Sequence, residues 1–186
     1  MNTLVIHPED TTTDFLKKIY EGKNFTIAKP EEMLNETVLK ELIKKHDRIV
    51  MLGHGNGNGL LGGPNLDIDF VINESFVNVL NGKDLICIWC YATEFINGYK
   101  VNPKRVFYTG MFISEELEAD FWEKYYEDEK EIEESNYTFS REFRKEYIDS
   151  DNRSMENLIK NYCKGVNSDI RYFNSERLFD KVLSPV

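Results

Sequence analysis

The chain has 186 residues, 41% hydrophobic and 13% aromatic, which suffices for one domain to close an apolar core without metal or disulfide staples. A formal net charge of −10 repels phosphate backbones and anionic lipid surfaces, so nucleic acid and membrane surfaces are excluded as expected partners and cationic ones are favoured. No stretch reaches the roughly 20 apolar residues of a bilayer span, the start of the chain lacks the pattern of a secretory signal, and three cysteines do not make a disulfide framework; a cytoplasmic protein with free thiols is expected.

In chain order, Leu4 to Ile6 reads as a short strand, and Thr11 to Asp14 offer capping oxygens to a helix over Phe15 to Tyr20. Phe25 to Ala28 is a second strand ended by Pro30. The stretch from Glu31 to His46 sets Met33, Leu34, Val38, Leu39, Leu42 and Ile43 on one helical face. Arg48 to Leu52 is an unbroken apolar run, the pattern of a strand buried on both faces, and it opens into a glycine-rich loop, Gly53 to Gly59, expected to be mobile. An irregular or hairpin-like excursion from Leu60 to Val71 leads to a short helix, Glu74 to Leu80, ended at Asn81-Gly82.

Asp84 to Trp89 is another buried strand, with Cys90 at its carboxyl end, and Arg105 to Phe112 is a fifth. From about residue 114 the chain becomes charged and helical. A helix from Ser114 to about Glu134 would be anchored by Phe121, Trp122, Tyr125 and Tyr126, and the acidic run Glu127-Asp128-Glu129 lacks the ligand spacing of an EF-hand loop. Ile170 to Phe173 reads as a sixth strand and Ser175 to Val182 as a last helix. The alternation of strand and helix implies a single α/β domain over residues 1–186, with a mainly parallel sheet of about six strands.

In such sheets functional groups gather beyond the carboxyl ends of the strands. His54 and Cys90 both fall there, on consecutive apolar strands, and consecutive strands are usually neighbours. A thiol beside an imidazole is the minimum set for an activated sulfur nucleophile. His7 and Asp10 follow the first strand and reach the same edge, where they would shape a substrate pocket. His46, at a helix carboxyl end, is explained by structure alone.

Two segments, Ile49-Val50-Met51-Leu52-Gly53-His54-Gly55 and Leu85-Ile86-Cys87-Ile88-Trp89-Cys90, resemble the two elements that define the caspase-like clan of cysteine peptidases, which includes metacaspases and gingipain-type enzymes. The strand from Val106 to Ile113 and the helical segment after it also look like that clan, so the resemblance covers roughly residues 1 to 126. It implies a three-layer α/β/α sandwich and a cysteine endopeptidase acting on peptide or protein substrates without a cofactor or metal. It further implies His54 as general base and acid, Cys90 as nucleophile, and the backbone N–H groups of Gly55 and Cys90 as the oxyanion hole. Trp89 and Tyr91 flank the cysteine where clan members carry smaller or polar residues, which assigns them to the substrate pocket. It also opens an alternative, a non-catalytic module of the same fold that binds a protein or small ligand at this edge.

Two further patterns are weaker. Cys87 and Cys90 form a C-x-x-C, but residues three apart in a strand face opposite sides and no second cysteine pair completes a zinc site. Gly57 to Gly62 matches G-x-G-x-x-G, yet Gly63-Pro64 follows where a phosphate-binding helix would have to begin.

Overall fold

The computed structural model describes residues 1–123, 128–165 and 168–183. Its elements in chain order are β1 (Thr3–Ile6), a 3₁₀ turn (Thr11–Leu16) running into α1 (Lys17–Tyr20), β2 (Thr26–Ile27), α2 (Pro30–Met33), α3 (Glu36–Lys44) and β3 (Arg48–Leu52). There follow β4 (Gly55–Asn56), β5 (Gly59–Leu61), β6 (Phe70–Ile72), α4 (Val77–Leu80), β7 (Asp84–Ile88), α5 (Ala92–Gly98) and β8 (Arg105–Thr109). The remainder comprises α6 (Glu116–Phe121), α7 (Glu129–Phe143) continuing as a π-helical turn (Arg144–Ile148), α8 (Met155–Tyr162), α9 (Asp169–Ser175) and β9 (Leu178–Val182). The chain divides into two compact units, one built from Met1–Asp10, Asn24–Gly110 and the chain from Phe179, the other from Thr11–Lys23 and Met111–Leu178.

The first unit is α/β. Its six-stranded sheet has the order β2-β1-β3-β7-β8-β9, with β2, β1, β3, β7 and β8 all parallel. β9 runs the other way: Leu183 donates its N–H to the Lys104 carbonyl at the start of β8 (3.1 Å), while Phe179 stacks on Tyr108 near its end. Leu4, Ile6, Ile49, Met51, Leu85 and Cys87 form one face of the sheet, in a core shared with Met33, Leu39, Ile43, Leu80 and Phe95. The alternate residues Val5, Val50, Leu52, Ile86 and Phe107 are also buried, as the unbroken apolar runs predict.

Local signals explain most helix starts in this unit. Glu32 accepts the Lys29 N–H at 2.8 Å ahead of Pro30, and Asn35 accepts the Val38 N–H at 3.2 Å. That second cap divides the helix expected over Glu31 to His46 into α2 and α3. His46 closes α3 through hydrogen bonds from its ring to the Leu42 carbonyl (2.7 Å) and to Thr26 Oγ1 (3.0 Å).

The second unit is helical and aromatic. Phe139 packs on Phe112 and Tyr162, and Phe143 stacks on Tyr147 with ring centroids 4.7 Å apart. Asp128 starts α7 with a capping box: it accepts from the Glu131 N–H and its own N–H donates to Glu131, each at 2.9 Å. The expected helix over Ser114 to Glu134 is interrupted, because α6 stops at Phe121 and Glu123 takes a left-handed φ of 57°. The aromatics are expected to hold this helix to the sheet, but Trp122 packs against Phe173 of α9 and Phe121 is exposed; Tyr125, Tyr126 and Glu127 lie outside the described residues.

The last two elements reverse the expectation. Ile170 to Phe173, read as a strand, belongs to α9, and Ser175 to Val182, read as a helix, contains β9. A run as short as Ile170-Arg171-Tyr172-Phe173 suits either state. Here Ser168 caps the helix by accepting the Arg171 N–H (3.1 Å), and Asn174, on the same helix, accepts the Ile113 N–H and donates to its carbonyl (2.8 and 2.9 Å). On β9, Asp180 pairs with Arg105 at 2.7 Å.

Candidate functional site

β3 and β7 lie side by side and parallel, with Leu52 opposite Ile88, and the ladder extends one step further through Gly53 N–H to the Ile88 carbonyl at 3.1 Å. His54 and Cys90 therefore leave the sheet at the same edge from adjacent strands. Both are partly exposed, and Cys90 is in no disulfide. β1, on the far side of β3, brings the third group: Asp10 Oδ2 lies 3.9 Å from His54 Nε2, within range of an ion pair with a protonated ring. His7, just beyond β1, is buried beside Gly53 and Pro8, against the backbone that precedes His54.

The chain around Cys90 is a tight strand-to-helix turn. Thr109 Oγ1, at the end of β8, accepts the Trp89 N–H (3.1 Å) and donates to the Trp89 carbonyl (2.7 Å), while the Gly110 carbonyl accepts the Tyr91 N–H (3.0 Å). Tyr91 sits in the left-handed region, with φ 64° and ψ 27°, a conformation that costs a non-glycine residue about 1 kcal/mol. Sequence reasoning gave no part to Thr109 and Gly110. Their signal was position: they end the next parallel strand at the same edge.

Trp89 does not line an open pocket. It is 2% exposed, part of the core, and its indole N–H donates to the Asn56 carbonyl at 3.2 Å beneath the turn after His54. A buried ring offers no surface to a substrate; its effect is to fix the loop. Tyr91, by contrast, is partly exposed beside Cys90.

The glycine-rich segment expected to be mobile is a hairpin from Gly55 onward, with Gly55 opposite Leu60 and Asn56 opposite Gly59. A Cβ on Gly55 would lie 2.0 Å from the Trp89 ring, and one on Gly57 would lie 2.4 Å from the Glu94 carboxylate, so the glycines admit close packing. Leu61 donates its N–H to the His54 carbonyl at 2.9 Å, which makes His54 and Leu61 a hydrogen-bonded pair. Gly55 and Leu60 then form the alternate, non-hydrogen-bonded pair, and the Gly55 N–H points away from β5.

The remaining cysteines do not join this site. Cys87 is wholly buried within β7, where burial pushes its thiol well above the ordinary range, so it is not a redox partner poised for Cys90. Cys163 lies in the second unit, its thiol also pushed up by burial. No group of three or more His, Cys, Asp or Glu side chains is arranged to hold a metal among the described residues, and no helix there is long and apolar enough to cross a membrane. No protein-family model matches the chain, and no curated protein matches it.

Proposed function

We propose that the chain is a caspase-like cysteine peptidase in which Cys90 attacks the carbonyl carbon of a peptide bond. The observation that carries the reading is the exit of His54 and Cys90 from paired, parallel strand ends, tied by the Gly53 to Ile88 hydrogen bond. In this reading Asp10 orients His54 through Nε2, and Nδ1 takes the thiol proton as the C–S bond forms. The Gly55 and Cys90 N–H groups receive the negative charge that develops on the carbonyl oxygen. As the tetrahedral intermediate collapses, His54 returns the proton to the departing amine; water, deprotonated by His54, then hydrolyses the thioester and regenerates the thiol. Asp10 balances the charge that forms on the ring. The burial of Trp89 supports a cleft clear of that side chain and removes part of the motive for a purely non-catalytic module.

The test is the rate of Cys90 alkylation by iodoacetamide against pH in a Cys87→Ala, Cys163→Ala background. The expected result is a thiolate that reacts well below the ordinary cysteine pKa of about 8.5 and loses that reactivity in His54→Ala. An inert Cys90, indifferent to His54, would sink the peptidase reading and leave the binding module. Asp10→Asn is expected to lower the reactivity by about tenfold and to shift its pH profile, because it removes charge without removing the base.

A further inference from the structure

β7 and β8 pair regularly as far as Cys87 opposite Tyr108, and β7 ends at Ile88. At the next residue a side chain takes over from the ladder. Thr109, wholly buried, uses its one hydroxyl on both backbone groups of Trp89, accepting the N–H at 3.1 Å and donating to the carbonyl at 2.7 Å. The Gly110 carbonyl accepts the Tyr91 N–H at 3.0 Å, and the Trp89 carbonyl also accepts the Ala92 N–H at 3.3 Å, which closes a turn over Cys90 and Tyr91. The residue before Cys90 and the residue after it are thus both held to the end of β8.

The Trp89 carbonyl and the Cys90 N–H belong to one planar trans peptide, so a carbonyl drawn toward Thr109 turns that N–H away from it. Trp89 also reaches the other half of the site, because its indole N–H donates to the Asn56 carbonyl at 3.2 Å, in the loop that carries His54. One residue therefore links the Cys90 turn to the His54 loop, and Thr109 fixes its backbone. The left-handed Tyr91, at φ 64°, persists because these bonds over-determine it.

We infer that Thr109 is a positioning residue for Cys90. The assignment rests on the peptidase reading of Cys90 and His54: the Thr109 hydroxyl sets the peptide from which the Cys90 thiol projects and, through Trp89, holds it in register with His54. A bond needed only to join two strands could lie anywhere along β8, whereas this one lies on the residue next to the nucleophile. It also needs the donor and the acceptor that a hydroxyl combines, so serine can replace threonine here and valine, of nearly the same shape, cannot.

The experiment is alkylation of the full chain by iodoacetamide across pH, with the Cys90 peptide followed by mass spectrometry so that Cys87 and Cys163 stay in place. Thr109→Val should lower the rate at neutral pH about tenfold and move the midpoint of the profile up toward that of His54→Ala, while Thr109→Ser should stay within about twofold of wild type. Thr109→Ala carries the same expectation if the valine chain does not fold. Asn174→Ala removes buried hydrogen bonds of the second unit; it should unfold more easily than wild type yet leave the Cys90 profile unmoved, which separates positioning from lost stability. A wild-type Cys90 that depends on His54 but reacts identically in the valine and alanine chains would overturn the role of Thr109 and leave the peptidase reading standing. A serine chain as impaired as the valine one, or an equally impaired Asn174→Ala chain, would overturn it too. A Cys90 inert in the wild type and indifferent to His54 would remove both.

Discussion

The two compact units are held together by different physics. In the first, the buried residues are mostly aliphatic, and the polar groups proposed to carry chemistry lie at or beyond the carboxyl ends of β1, β3, β7 and β8. In the second, aromatic rings share the interior with buried Ser135, Asn136, Ser140, Glu142, Glu146, Arg171 and Asn174. Apolar burial is strong but non-directional, so the first unit depends on sheet register and on glycines that let its loops close tightly. Hydrogen bonds are individually modest but expensive to leave unmade, so the second unit depends on directed polar pairs.

Three substitutions test whether the two units differ in this way. The largest effect is expected for Gly55→Ala in the first unit, where the added methyl meets the Trp89 ring and the Gly59 carbonyl (2.0 and 2.6 Å). A loss of about 3 kcal/mol in denaturant unfolding is expected, together with disturbed Trp89 fluorescence. Tolerance of this alanine would mean that the hairpin is not pinned by shape. Next comes Asn174→Ala in the second unit, which deprives both Ile113 backbone groups and the Tyr162 hydroxyl of a partner and should cost about 2 kcal/mol. A near-neutral result would remove the claim that directed bonds hold this unit.

The smallest effect is expected for Tyr162→Phe, about 1 kcal/mol at neutral pH, since it leaves Ser135 and Asn174 one partner short. Its signature lies at high pH. Burial pushes the Tyr162 phenol up to about 12, only partly offset by hydrogen bonds from Ser135 and Asn174. A phenol whose pKa is raised on folding contributes fully below about pH 10 and loses that contribution as the pH climbs to about 12, at roughly 1.4 kcal/mol per pH unit. The wild-type chain should therefore lose stability steeply between those limits, and the phenylalanine variant should lose less. The buried thiols of Cys87 and Cys163 push in the same direction, so some slope should survive.

What the sequence determined alone was whatever depends on near neighbours along the chain. The unbroken runs Arg48–Leu52 and Asp84–Ile88 are strands because apolar residues without a helical period bury on both faces. The end of α4 was legible in Asn81-Gly82, with Gly82 at φ 74°. His54 and Cys90 were placed at one edge by the same reasoning, since consecutive strands of a parallel sheet tend to adjoin and their carboxyl ends carry the loops.

Tertiary structure decided the rest, because it depends on partners distant in sequence. Asp10 was legible as a residue of this edge, but its approach to His54, across β1 and β3, was not, because no local pattern encodes which side chains of an edge meet. Trp89 reads as a pocket residue until its indole is seen to reach Asn56, and the glycine hairpin is closely packed by the Trp89 ring and the Glu94 carboxylate, where glycine by itself signals only freedom. Ile170 to Phe173 became helix for the same reason: the run is ambiguous alone, and the buried bonds of Asn174 to Ile113, 61 residues away, are satisfied by α9.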